Sequence, residues 1–381
     1  MPRERTFYLK NRMNVPPRGF ILDYNGRKCR SNFFKEVVRE SGLPADEADR
    51  LISKALFEKG FTDLIDEFVP AMKDQGAGEI IPIDSSLLLR KSSVGDTFFF
   101  NPALCKYEGK ILMAYRRNLG NADICICELD PKTWQPVDGT CHELELPKKL
   151  GAPNNSWEDP RLYCFDGKLM MSYGHWGHDW VEHRPTQHFC HLESKRGTFK
   201  VVGDFAPTYG LNGKDTEKNW LAFQDLEGKL WVIYNAQPHV TFGLKHEGME
   251  RSDWKREGWK NGLRGGTPPV LNPHDGLLYT FVRSHDDTGN RGAYHYKTRR
   301  YTVGCYAFEP IAPFKVVKYC PEPLLTASEE DDFLPSAPSV CFSSGCIWHD
   351  DQFVVSLGVH DKWCAIWKVD MEVLNKEMVN L

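Results

Sequence analysis

The residues of this chain best placed to do chemistry together are Glu158, Asp159 and Arg161, in the run Trp157-Glu158-Asp159-Pro160-Arg161. Two carboxylates beside a guanidinium allow one acid to handle a proton while the neighbouring charges hold its partner in place. Pro160 has no backbone N–H and fixes its own φ, and it biases Asp159 toward extended backbone. This predicts a strand Arg161-Leu162-Tyr163-Cys164-Phe165 with Asp159 at its mouth. Taken alone, the run also fits a charged strand start held by a local Glu–Arg pair. Its place in the rest of the chain decides between the two readings.

The elements around it repeat. An acidic residue, Gly and Lys lead into an apolar strand at Glu108-Gly109-Lys110, at Asp166-Gly167-Lys168 and at Glu227-Gly228-Lys229. Weaker copies stand at Asp275-Gly276 and Asp350-Asp351. Each reads as a hairpin turn between short strands rich in Val, Ile, Tyr, Phe and Trp. Copies about 50 to 75 residues apart fit the blades of a propeller, whose small antiparallel sheets stand radially round a channel. A β-sandwich has no reason to repeat one hairpin in this way. The predicted fold is all-β, a five-bladed β-propeller over residues 91–381, preceded by an arm and helical extension over residues 1–90. Phe34, Val37 and Val38 share one helical face, Leu51, Ile52, Ala55 and Leu56 another, and Leu64, Ile65, Phe68 and Met72 a third. These helices are a candidate packing appendage or homo-oligomer contact.

Counting back eight residues from each hairpin glycine or its equivalent lands on Asn101, Asp159, Trp220, Pro268 and Ser343. The motifs Asn101-Pro102, Glu158-Asp159-Pro160-Arg161, Lys218-Asn219-Trp220, Arg264-Gly265-Gly266-Thr267 and Ser343-Ser344-Gly345 therefore occupy one place in successive blades. If that place begins the innermost strand, all five converge on one end of the channel and form a single polar pocket. The second strands of the hairpins end near Arg116, Gly174, Asn235, Arg283 and Gly358, close to His239, His285 and His360-Asp361. A carboxylate among Arg and His donors, with Trp157 and Trp220 nearby, suits a sugar: aromatic faces cover ring C–H groups and charged groups hold hydroxyls and a phosphate.

Composition narrows the classes. The chain has 381 residues, 41% hydrophobic and 26% charged, with no apolar run near the roughly 20 residues of a membrane span. Its net charge of −4 argues against a nucleic-acid partner. The 12 cysteines are scattered, Cys125-x-Cys127 being the closest pair, and Cys105, Cys125, Cys127 and Cys364 lie in apolar runs where Cys acts as a small hydrophobe. They read as reduced thiols, hence a cytoplasmic protein. The histidines 175, 178, 183, 188 and 191 are irregularly spaced without accompanying Cys or carboxylates, so no metal site is expected. Nor is there a P-loop or a G-x-G-x-x-G nucleotide motif.

Over residues 95 to 370 these motifs resemble glycoside hydrolase family 130, the β-mannoside phosphorylases and mannosidases, and the mannosyltransferases that share their five-bladed propeller. Glu158-Asp159-Pro160-Arg161 carries the likeness most strongly. Asn101-Pro102, Gly265-Gly266-Thr267-Pro268-Pro269, Tyr301-x-x-Gly304, Ser344-Gly345 and Gly358-x-x-Asp361 support it. The resemblance implies that Asp159 is the catalytic carboxylate of an inverting reaction. It would act as general acid in phosphorolysis and as general base when an acceptor hydroxyl attacks an activated sugar. One departure matters. The phosphorylases carry a phosphate-binding arginine at the end of the third hairpin, where this chain reads Tyr234-Asn235-Ala236-Gln237-Pro238-His239. The leading expectation is therefore an inverting glycosyltransferase using a sugar nucleotide such as GDP-mannose and a carbohydrate acceptor. A phosphorylase using phosphate or a sugar 1-phosphate is the alternative, and a non-catalytic glycan-binding propeller is the alternative of another class. No cofactor is expected in any of the three.

Overall fold

The computed structural model describes residues 72–74, 77–89, 98–117, 122–148, 155–177, 186–195, 197–207, 218–245, 247–255, 258–259, 261–291, 297–327, 340–359 and 363–381. The helices expected before residue 72, and the oligomer contact assigned to them, lie outside these residues. So do His360 and Asp361.

The described strands form five antiparallel sheets arranged as a five-bladed propeller. Blade 1 runs Phe99–Tyr107, Lys110–Arg117, Asp123–Leu129, His142–Glu143, and blade 2 runs Asn155–Phe165, Lys168–Gly177, Thr186–Lys195, Thr198–Phe205. Blade 3 runs Leu221–Gln224, Leu230–Asn235, His239–Gly243, Met249–Ser252. Blade 4 is built on Val270–Leu271, Leu278–Arg291, Lys297–Phe308 and Val316–Tyr319. Blade 5 runs Cys341–His349, Gln352–Val359, Trp363–Val369, and its outer strand is Gly78–Pro82, which comes from the N-terminal side. Met72–Asp74 likewise pairs with Leu325–Ala327 on blade 4. The sheets thus take in residues before 91, where the sequence reading drew the domain boundary.

All five expected hairpins are present. At Glu108-Gly109 and Asp166-Gly167 both central residues have positive φ (48° and 75°, 49° and 70°), the primed turn geometry that follows the right-handed twist of its strands. Blade 5 makes the same turn with Asp350-Asp351 at 49° and 64°. In blade 3 the loop is longer, and Asp225 Oδ1 closes it by accepting the backbone N–H groups of Glu227 and Lys229.

Apolar runs without strict alternation mark strands buried on both faces. Here that burial comes from five hydrophobic clusters, one in each gap between blades. Trp367, Phe353 and Phe281 fill the gap between blades 4 and 5, and Tyr173, Met171 and Ile124 that between blades 1 and 2. The wedges between sheets are therefore solid, and the polar groups are left to the inner strands. Among the described residues, no helix is long and apolar enough to cross a membrane.

Candidate active site

The motifs that the repeat aligned lie within or just before the innermost strands, and in three of them the backbone departs from the extended form. Asp159 has φ +51°, Asn101 +51° and Asn219 +66°. The extended conformation expected for Asp159 before Pro160 does not occur. Short polar side chains tolerate the left-handed region, and at Asn101 and Asp159 the departure accompanies a break in the ladder. Register shifts fall between Phe100 and Ala103, between Glu158 and Arg161, and between Ser343 and Gly345. Asp159 consequently sits within the strand Asn155–Phe165, on a bulge, rather than at the strand's first residue. Bulges of this kind re-aim side chains.

Around Asp159 the blades exchange polar contacts. Asn101 Nδ2 donates to Asp159 Oδ1 at 2.8 Å, joining blade 1 to blade 2. Arg116 Nη2 donates to Glu158 Oε1 at 2.7 Å, and its Nη1 lies 3.7 Å from Asp159 Oδ1. Lys218 Nζ stands 3.7 Å from the other Glu158 oxygen. Arg161 is a hub: Nε donates to the Gly266 carbonyl at 2.7 Å, Nη1 to the carbonyls of Asp159 and Pro160 at 2.8 and 3.0 Å, and Nη2 to Asn219 Oδ1 at 3.4 Å. Arg283 Nε donates to the Gly265 carbonyl at 3.1 Å, and its guanidinium carbon lies over Phe342, 3.5 Å from the ring centroid. Phe342 also carries Arg161 at 5.3 Å, and Phe100 carries Arg116 at 4.7 Å. The glycines at this hub have no room for a side chain. A Cβ on Gly265 would meet the Asn219 carbonyl at 2.2 Å, and one on Gly358 would meet Asn101 Oδ1 at the same distance.

The electrostatics follow from this packing. Burial alone would raise the Asp159 carboxyl, but Lys218, Arg116, Arg161 and Arg283 outweigh it and hold the group down at about 2. Asp159 is thus an anion at neutral pH. Burial in turn pushes the Arg283 guanidinium down to about 9, against the pull of Asp159. Four cations face two carboxylates here. The surplus positive charge is largely buried and can be relieved by an anion entering the cluster.

Of the residues expected at the site, the structure brings together Asn101, Arg116, Glu158, Asp159, Arg161, Lys218, Asn219 and Arg283. Arg264 is exposed, its backbone bridging that of Arg283. His285 and Tyr301 face each other on neighbouring strands, ring centroids 5.8 Å apart, two residues beyond Arg283. Others have different work. The Trp157 ring stacks on His175 at 5.9 Å and donates to the Pro147 carbonyl, packed between blades 1 and 2. Trp220 is packed edge-on against Tyr234 and Phe242. Neither indole leaves a free face for a sugar. His239 is fully buried between blades 3 and 4, against Tyr306 and Phe308, and burial pushes it down to about 3. Thr267 is buried and exchanges hydrogen bonds with the Phe281 backbone. Asn235, at the position of the missing arginine, turns back to the Gln237 carbonyl at 3.1 Å.

Phe342 and Phe100 escaped the sequence reading. Their signal was position: each stands one residue before a hub residue, Ser343 or Asn101. An apolar residue there reads as core.

No family model matches the chain. It is 22% identical over 288 residues to a beta-1,2-mannobiose phosphorylase from Thermoanaerobacter sp., covering 72% of this chain and 90% of that protein. Among solved structures, it resembles the beta-1,2-mannobiose phosphorylase of Listeria innocua in complex with beta-1,2-mannobiose (TM-score 0.50, 14% identity, 78% of this chain and 99% of that one). It also resembles a GH130 structure, from a family of mannoside phosphorylases containing glycoside hydrolases that target beta-1,2 mannosidic linkages in Candida mannan. That match has a TM-score of 0.54 and 15% identity over 78% of this chain and 96% of that one. The resemblance read from the motifs thus reappears in both sequence and fold.

Proposed function

We propose that the protein is an inverting β-mannoside phosphorylase in which Asp159 is the proton-handling carboxylate. The observation that carries this reading is the cluster of Arg116, Arg161, Lys218 and Arg283 around Asp159, a buried cationic seat sized in charge for a phosphate dianion. The absent arginine of the third hairpin had favoured a sugar nucleotide. Lys218, at the start of blade 3, and Arg283, from blade 4, supply positive charge despite Asn235. The relatives' names support phosphate over a nucleotide as co-substrate.

In the degradative direction a phosphate oxygen attacks the anomeric carbon as the glycosidic C–O bond breaks, and Asp159 delivers its proton to the leaving oxygen. Inversion turns the β-linkage into an α-mannose 1-phosphate. The surrounding cations hold Asp159 ionised, in the form that accepts a proton from an acceptor hydroxyl during synthesis. A bound phosphate offsets the same cations that depress the carboxyl, raising its pKa toward the protonated form that phosphorolysis requires. Arg116 and Lys218 hold the two Glu158 oxygens beside it, and Asn101 fixes one Asp159 oxygen.

The test is to incubate the protein with β-1,2-mannobiose and inorganic phosphate and assay mannose 1-phosphate. A parallel incubation supplies GDP-mannose with mannose. Phosphate-dependent release supports the proposal, and turnover with GDP-mannose alone overturns it in favour of the glycosyltransferase reading.

A further inference from the structure

The closest cysteine pair in the sequence, Cys125 and Cys127, reads as part of an apolar strand, and the structure gives one of them a second neighbour. The third strand of blade 1 pairs antiparallel with its outer strand through Cys125 to Glu143 and Ile126 to His142. Continuing this register by one residue sets Cys127 opposite Cys141, and both pack against the same core cluster between blades 5 and 1. Directly opposed residues of an antiparallel pair have Cα atoms about 4.5 to 5.5 Å apart, within the range a disulfide spans. The neighbouring backbone is pinned: Glu128 N–H donates to Thr140 Oγ1 at 3.1 Å and Val137 N–H to the Glu128 carbonyl at 2.8 Å.

The pair is asymmetric. Cys127 is 1% exposed, whereas Cys141 is partly exposed at the blade edge, where its Sγ meets the Leu87 carbonyl at 3.4 Å. Hydrogen bonding from Cys127 and then Tyr115 outweighs burial and pulls the Cys141 thiol down, helped by the Leu89 backbone N–H. Among the described cysteines with a shift, every other thiol is pushed up, chiefly by burial except at Cys127, where the bond to Cys141 leads. The exposed Cys164 is among those raised. A partly exposed thiol with a lowered pKa beside a buried second thiol is the arrangement of an oxidisable cysteine with its resolving partner.

We infer that Cys141 and Cys127 form a peroxide-reactive dithiol at the outer edge of blade 1, separate from the Asp159 site. The Cys141 thiolate attacks one oxygen of hydrogen peroxide, breaking the O–O bond, releasing hydroxide and leaving a sulfenic acid on Cys141. The Cys127 sulfur then displaces the sulfenic oxygen, which departs as water with the Cys127 proton. Two thiols and one peroxide give one disulfide and two waters, so the protein is oxidised by two electrons and the peroxide is reduced.

The experiment treats the full-length protein with stoichiometric hydrogen peroxide, alkylates the remaining thiols without reduction and maps the peptides. The expected result is a loss of two alkylatable thiols and of two hydrogens in mass, with the Cys127 and Cys141 peptides linked. Before oxidation, Cys141 should alkylate faster at neutral pH than the more exposed Cys164. In Cys127→Ser a sulfenic acid on Cys141 should persist and be trapped by dimedone. Absence of the linkage in the wild-type protein, or oxidation of Cys164 in preference to Cys141, overturns the inference. The wild-type map decides the matter even if the variant folds poorly.

Discussion

Asn101 and Asp159 occupy the same place in neighbouring blades, share a left-handed φ of +51°, and meet in a 2.8 Å hydrogen bond. The repeat that aligned them along the chain therefore also brings them into contact. Asn accepts the left-handed backbone as readily as Asp, so Asp159→Asn removes the proton-handling carboxylate without straining the turn. Its rate with mannobiose and phosphate should fall by about 10³-fold, within the usual contribution of a general acid. Asn101→Ala should be milder, a loss of about 10- to 100-fold in kcat, as expected for one hydrogen bond to a charged group. Initial rates in both directions check the pair, and an Asp159→Asn enzyme as fast as wild type would remove Asp159 from the mechanism.

Arg283 rests 3.5 Å from the centre of the Phe342 ring, and burial already weakens its hold on its proton. A desolvated cation–π contact is worth about 2 kcal/mol, or roughly 30-fold in binding. Phe342→Leu should raise KM for phosphate by about that factor while kcat at saturating phosphate changes little. Phe342→Tyr, which keeps the aromatic face, should stay near wild type. Equal losses in both variants would show that the ring serves packing alone.

What could be read from the chain divides by how local its cause is. The turns at Glu108-Gly109 and Asp166-Gly167 announce themselves because two adjacent residues set the geometry, and the repeat of five hairpins aligned Asp159 with Asn101. The blade-closing pairing of Gly78–Pro82 with Trp363–Val369 joins segments nearly 300 residues apart, and no local pattern points across that gap. The tryptophans misled for another reason. An indole near a carboxylate looks the same in sequence whether its face is free for a sugar or, as at Trp157, taken by His175. His239 likewise carried the spacing of a pocket residue, yet its strand turns it into the gap toward Tyr306.

Two buried groups predict separate windows of acid sensitivity. His239 is neutral in the fold, with a pKa near 3 against about 6.5 unfolded, so the unfolded chain binds the extra proton and stability declines as pH falls below about 6.5. Asp159, near 2 in the fold against about 3.9 unfolded, contributes stability above about pH 4 that is lost as pH falls through 2. Thermal melts from pH 7 to pH 3 should show a decline beginning near 6.5. His239→Gln should flatten the curve between pH 6.5 and 4, and Asp159→Asn should flatten it only below about 4. A wild-type Tm constant from pH 6.5 to 4 would contradict the burial of a neutral His239.

The backbone at Gly266 ties fold to chemistry. A Cβ there would lie 2.0 Å from the Phe281 carbonyl oxygen and 2.6 Å from Ser343 Oγ, both part of the packed hub between blades 4 and 5. Backbone atoms cannot step aside as a flexible side chain can, so Gly266→Ala should cost about 3 kcal/mol, at the upper end for overpacking. The carbonyl of Gly266 also accepts from Arg161 Nε at 2.7 Å, and Arg161 in turn holds the Asp159 carbonyl. Displacing Gly266 should therefore shift the catalytic bulge, with a loss of kcat exceeding the loss of folded protein at the assay temperature. Gly262→Ala, four residues earlier with nothing within 4 Å of the added carbon, is the matched control and should leave both Tm and kcat near wild type. Comparing melting curves and kcat for the two alanine variants separates a hub that positions Asp159 from a loop that merely connects blades.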